Sequence, residues 1–319
     1  MNRAHASNAA GPTVPVAERA GGWGATDLLM FLAILIWGIN FTAVKFAVGH
    51  IAPLAYNAVR FSLATVVTMT VLVVQARKNH DPSLLRMSRH DVVPVILLGL
   101  TGHTIYQAIF ANGVARSTPA NASLLLATAP IWVAILGYIL RIERINLTML
   151  AGILMSFSGI ALLITSGGNV ELGRSTLVGD ALLLGCAVLW AVYTTASKPF
   201  LGRFSPLKLT GWSMVAGTVP LILISIPDLR RQDWSTVPPL VWAALLFSAV
   251  FAVTVGYTIW YASVQRVGNA RTAVYSNLTP IVAILFAWLT LGDALAPVQL
   301  LGAAIVLAGL IVTRRGRTR

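Results

Sequence analysis

A single arginine stands inside an apolar stretch of this chain. Arg60, in LAYNAVRFSLATVV, lies roughly 12 Å into a helix that begins near Pro53, at ~1.5 Å of rise per residue. A charge at that depth is costly unless water or a partner reaches it. No apolar segment carries Asp or Glu in its interior, so Arg60 has no acidic partner at its own depth. It reads as an anchor for a substrate carboxylate or phosphate, as a cap on helix-end carbonyls reached by snorkelling, or as a gate. His103, Tyr106 and Gln107 fall three or four residues apart, on one face of a regular helix, and suggest the lining of a cavity. His103 titrates near neutral pH in water and is a candidate proton carrier; the simpler account is a neutral imidazole bonded to a neighbour.

Aromatic residues supply the remaining candidates. Trp37, Asn40 and Phe41 lie at positions equivalent to Trp190, Tyr193 and Thr194, and Tyr257 and Trp260 follow further on. Rings give a pocket its shape and apolar area while amide and hydroxyl groups give a few directed hydrogen bonds; ordinary helix packing uses the same residues. Lys45 and Lys198 occupy mirrored helix ends and read as gating charges or as snorkelling lysines. Pro130 and Pro280 are candidate hinges, because proline inside a membrane helix frees a carbonyl and permits a bend. No phosphate-binding loop, metal-ligand cluster or nucleophile triad is present, and no residue pattern calls for a cofactor.

The elements that position these residues are membrane helices. The chain is 57% hydrophobic and 10% charged, against about 25% charged in soluble domains, and its mean hydropathy is +0.79. The apolar runs are near the ~20 residues that cross a bilayer core. Ten spans are predicted: 26–48, 53–76, 92–113, 119–140, 147–166, 177–200, 206–226, 240–264, 270–291 and 298–313. Residues 1–25, rich in Ala, Gly, Pro and Ser, read as a disordered cytoplasmic tail; 167–176 reads as an external linker and 314–319 as a basic cytoplasmic tail. The net charge of +13 does not indicate nucleic acid, because the basic residues sit in short connections and at the C-terminus. The lone Cys186 offers no disulfide framework.

The chain also repeats itself. Asp27, Trp37, Lys45 and Pro53 recur as Asp180, Trp190, Lys198 and Pro206, each 153 residues on. Later the spacing becomes 150: Ala120 matches Ala270, Pro130 Pro280, Glu143 Asp293, Gly152 Gly302 and Gly159 Gly309. The fold class read from this is an all-α polytopic membrane protein of two five-helix repeats, 26–166 and 177–313. An odd number of spans makes the second copy enter the membrane from the opposite side, an inverted-topology repeat. With the N-terminus in the cytoplasm, the external connections carry only Arg116, Arg174, Arg230 and Arg231 while the internal ones hold most of the remaining cations, so both termini are expected inside.

The stretches LIWGINFTAVKFAV, PLAYNAVRF, ATAPIWVAILGYILRIERINLTMLAG and NLTPIVAILFAWLTLGDALAPVQLLG resemble the drug/metabolite transporter superfamily, in particular its EamA-like bacterial branch, over roughly residues 26–313. The superfamily includes YddG-type exporters of aromatic and other hydrophobic amino acids. The resemblance implies an inner-membrane secondary carrier and cavity-facing positions at Trp37, Asn40, His103, Tyr106, Gln107, Trp190, Tyr257 and Trp260. The leading expectation is therefore export of amino acids or related small metabolites by alternating access, from a chain that forms a complete pathway as a monomer. The alternatives are a permease or exchanger of other neutral or anionic solutes, or a membrane lipid enzyme. The absence of acids within the spans argues against multiply charged cations.

Overall fold

A computed structural model describes residues 24–114, 116–117, 119–167, 176–282, 285 and 297–316; within helices, nothing is described of the side chains of Phe41, Thr42, Lys45, Val114, Pro119 and Ala120. Residues 1–23 of the predicted N-terminal tail, almost all of the linker, residues 283–284 and 286–291 of the predicted ninth span, Asp293 and the last three residues of the C-terminal tail lie outside the described residues. All regular structure among the described residues is helical. The rods are α1 (Ala25–Val48), α2 (Pro53–Lys78), α3 (Arg89–Gly113), α4 (Asn121–Ile139), α5 (Leu147–Gly167), α6 (Leu177–Leu201), α7 (Pro206–Arg231), α8 (Pro239–Val267), α9 (Asn269–Tyr275) and α10 (Pro297–Arg315). Eight of them, α2 to α8 and α10, are long and apolar enough to cross a membrane. This is an all-α, multi-pass membrane protein.

Local chemistry accounts for the helix starts. Proline opens α2, α7, α8 and α10, where its missing N–H leaves no bond unmade and its fixed φ suits the first turn. Ser205 caps α7 by accepting a hydrogen bond from the Lys208 amide at 3.3 Å. The large side chains turned outward are apolar: Leu28, Leu35, Val66, Val74, Leu97, Leu154, Leu223 and Leu301 are all exposed, as the rim of a bundle solvated by lipid tails requires. The predicted seventh span stops at 226, before Pro227, whereas α7 continues through Pro227 to Arg231. Pro227 lies in its last turns, where the lost amide bond is tolerated.

Two features were not expected from the sequence. Helix α3 widens into a π-turn at Leu100–Ile105, and α8 does so at Ser248–Val255. The two segments overlap at a spacing of 150. Threonine hydroxyls from both turns bridge to neighbouring backbone: Thr104 donates to the Gly217 carbonyl at 2.6 Å and Thr254 to the Ala64 carbonyl at 3.2 Å. Residues 104 and 254 are equivalents, and so are 64 and 217. Helices α4 and α9 are also broken in corresponding places. α4 is interrupted at Ala127 and Thr128, just before Pro130, and α9 passes into a 3-10 turn at Ser276–Leu278, just before Pro280.

Other contacts join equivalent residues directly. The hydroxyls of Thr65 and Thr218 meet at 2.8 Å, and the rings of Trp37 and Trp190 pack edge-to-face with centroids 6.3 Å apart. Where α5 crosses α10, Gly152 faces Gly309 and Gly159 faces Gly302. A Cβ at Gly152 would stand 2.4 Å from the Thr313 amide nitrogen, and one at Gly159 would stand 2.7 Å from the Gly302 carbonyl oxygen. Backbone lies against backbone there, the close approach that small residues permit in membranes. Gly159→Leu is therefore expected to lose most folded protein, read as the monodisperse peak in detergent size-exclusion, while the lipid-facing Leu154→Ala leaves it unchanged.

Candidate functional site

A cavity of about 490 Å³ lies between the helices, within the size range of small-molecule sites. It reaches from Trp37 on α1 and Trp190 on α6 to Val48 and Pro53, at the end of the bundle where α1 hands over to α2. Arg60 is its sole charged lining residue among those described. The guanidinium is buried, at 8% exposure. It donates from Nη2 to Gln107 Oε1 at 3.1 Å and from Nη1 to Ser248 Oγ at 3.3 Å. The Tyr56 and Phe61 rings lie 5.4 and 5.0 Å from its Cζ, close enough for cation–π attraction. Both hydrogen-bond acceptors are neutral.

The aromatic side is a box. Trp190 stands 5.6 Å from Tyr257 and 5.8 Å from Tyr106, ring centre to ring centre. Trp37 adds edge contacts with Trp190 and with Tyr257, at 6.4 Å for the latter. Its indole is held by a bond from Nε1 to the Ala252 carbonyl at 2.9 Å, within the π-turn of α8. Gly256 leaves room for that indole; a Cβ there would meet Trp37 Nε1 at 2.5 Å.

The sequence candidates divide by position. Trp37, Asn40, Arg60, Tyr106, Gln107, Trp190, Tyr257 and Pro280 line the cavity. His103, Tyr193 and Trp260 do not. They are fully buried behind its wall, with His103 Nε2 3.2 Å from Ser213 Oγ and 3.1 Å from Tyr193 Oη, and Trp260 Nε1 donating to Thr194 Oγ1 at 3.2 Å. Pro130 is buried at the start of the second part of α4. Phe41 and Lys45 have side chains outside the described residues. Lys198 donates to the Val264 carbonyl at the end of α8. The sequence reading did not single out Tyr56, which lines the cavity beside Arg60; its place one helical turn before the arginine, in YNAVR, was the available signal.

The end of the bundle away from Val48 is tied by polar contacts. Asp27 receives the Tyr275 hydroxyl and forms an ion pair with Arg314 at 2.7 Å, joining α1 to α9 and α10. Glu143 accepts from the Ala270 amide at 3.0 Å, putting a carboxylate at the N-terminus of α9, where the helix dipole favours it. Burial nevertheless pushes the Glu143 carboxyl above its ordinary value, against the opposing pulls of that amide and of Lys198. At the other end, Asp180, the equivalent of Asp27, accepts from Ser117 Oγ at 2.5 Å and from Asn121 Nδ2 at 3.0 Å, joining α6 to α4.

A helical bundle with an apolar, aromatic cavity opening between its spans defines a carrier of small molecules. The pattern of the EamA-like transporter family matches this chain twice, over residues 24–165 and 177–315. The chain belongs to that family, and it is a secondary-active small-molecule transporter. It is 29% identical to the uncharacterized transporter YyaM of Bacillus subtilis, over 89% of this chain and 92% of that protein. It is 28% identical to a probable terminal-alkyne amino-acid exporter of Streptantibioticus cattleyicolor, over 91% and 94%, and 29% identical to a probable amino-acid metabolite efflux pump of Salmonella typhimurium, over 89% and 93%. One solved crystal structure shares the fold, with a TM-score of 0.77 at 21% identity, covering 90% of this chain and 96% of the other.

Proposed function

We propose that this protein exports amino acids, hydrophobic ones included, or closely related small metabolites across the bacterial inner membrane. The observation that carries the reading is the cavity itself, with Trp37, Trp190 and Tyr257 forming an apolar box beside one buried guanidinium. Such a site suits a small solute with an apolar body and a polar head. Two relatives whose names refer to amino acids or their metabolites support the choice.

The architecture of this reading is ten spans in two inverted five-helix repeats, with both termini in the cytoplasm and the whole pathway within one chain. Support comes from the double family match and from contacts that exchange under the repeat: Thr104–Gly217 with Thr254–Ala64, and Gly152–Gly309 with Gly159–Gly302. In this orientation the cavity faces outward and the Asp27, Glu143 and Lys198 contacts close the cytoplasmic end. Alternating access then exchanges the two ends.

The test is efflux from proteoliposomes preloaded with labelled phenylalanine, leucine or alanine. Gradient-dependent release above protein-free vesicles is expected for the hydrophobic amino acids. Folded protein that releases none of them would overturn amino acid export and leave other neutral or anionic metabolites as the cargo.

A further inference from the structure

Resting on the reading that this cavity binds the cargo, we infer that its recognition element is the carboxylate: the carried class is the hydrophobic monocarboxylate, amino acids included, and the α-ammonium group is dispensable. Arg60 is buried without an acid within bonding reach, its two polar partners being Gln107 and Ser248. Its Nε has no hydrogen-bond partner among the described residues, and neither has the hydroxyl of Tyr56, whose ring lies beside the same guanidinium. These are two unengaged donors next to one uncompensated positive charge. Both atoms are buried, so a carboxylate that displaces the side chains covering them gains donors and neutralises the charge, and hydrogen bonds between charged partners are about twice as strong as neutral ones. The costs are linked: burying a cation without a counter-ion is unfavourable, and a bound anion removes the penalty.

The ammonium has no equivalent provision. No Asp or Glu lines the cavity among the described residues. What the cavity offers a cation is neutral: the unpartnered Oδ1 of Asn40 and the faces of the aromatic box. Zwitterions fit, but they bring a second charge that the site does not compensate. An acid lacking the amino group therefore binds at least as well as its amino acid, and an amide lacking the carboxylate binds poorly.

The experiment uses the full chain in detergent and in proteoliposomes. Binding is read from quenching of tryptophan fluorescence, and transport from counterflow of labelled phenylalanine. The probes are phenylalanine, 3-phenylpropionate and phenylalaninamide. In the wild-type chain 3-phenylpropionate is expected to bind as tightly as phenylalanine or tighter, and phenylalaninamide roughly 10- to 100-fold more weakly, the scale of a lost charge-assisted bond. Arg60→Met is expected to abolish the preference for carboxylate over amide, and Arg60→Lys to retain part of it. Should both variants fail to fold, the wild-type ranking decides alone. Phenylalaninamide binding as well as phenylalanine, or 3-phenylpropionate not binding at all, would overturn the inference. The two readings fail separately. Arg60-dependent binding of 3-phenylpropionate without any amino acid efflux removes amino acid export and keeps the carboxylate site. Efflux of phenylalanine that is indifferent to Arg60→Met does the reverse.

Discussion

Trp190→Ala is expected to raise KM for a hydrophobic amino acid roughly 70-fold while leaving the protein folded. Trp190 lines the cavity and touches most of the aromatic cluster, with Trp260 at 5.1 Å and Tyr193 at 5.7 Å behind it and Tyr106, Tyr257 and Trp37 at its sides. An indole that presents on the order of 100 Å² to an apolar ligand contributes about 2.5 kcal/mol at ~25 cal/mol per Å². That contribution is uniform binding, made to the bound cargo throughout its passage, so it is expected in KM more than in the maximal rate. Trp190→Phe keeps a ring in the box and is expected to recover most of the loss. Initial rates of counterflow over a range of phenylalanine concentrations measure both variants. An unchanged KM in a folded Trp190→Ala protein would remove the aromatic box from the binding site.

The second large effect concerns the end of the bundle tied by Asp27. Asp27→Asn removes the ion pair with Arg314 and weakens the acceptor for the Tyr275 hydroxyl, with Asp27 itself only 4% exposed. Leaving buried polar groups poorly partnered costs about 1–3 kcal/mol, which shifts the balance between closed and open forms of that end by roughly 5- to 150-fold. The direction is toward opening, because the contact joins α1 to α9 and α10. A cysteine at Ser197, which is fully buried on α6, reports it in a background where Cys186 is replaced by serine. Its labelling by a water-soluble maleimide is expected to be at least about tenfold faster with Asp27→Asn than without it. Equal labelling rates would mean that other contacts, such as Lys198 with the Val264 carbonyl, hold this end unaided.

The sequence carried the membrane-spanning helices well, for a physical reason. Crossing a bilayer demands long unbroken apolar runs, and Asp27, Trp37, Lys45 and Pro53 recur in register. The π-turns left no such mark. A π-turn adds a residue to one turn of a helix without changing its composition, so a regular 3.6-residue period places His103 on the face of Gln107. In the structure Gln107 reaches Arg60 while His103 turns toward Ser213 and Tyr193. The aromatic residues posed a related difficulty. Trp37, Trp190 and Trp260 are alike as residue types; only packing separates the two that line the cavity from the one behind it. The breaks in α4 and α9 were partly legible, since Pro130 and Pro280 stand immediately after them.

The meeting of Thr65 with Thr218 bears on how such a gene arises. Two copies of one half-length protein, inserted in opposite directions, would set this residue against itself across their axis. A hydroxyl tolerates that, because it donates and accepts with equal ease; a lysine or an aspartate would face its own charge. The same ancestral pair would carry two copies of any residue at the position of Arg60. In this chain the residue 153 positions after Arg60 is Ser213, which is bonded to His103. On the proposed reading of two inverted repeats, halves with different sequences let one shared cavity carry a single charge, which two identical copies could not do.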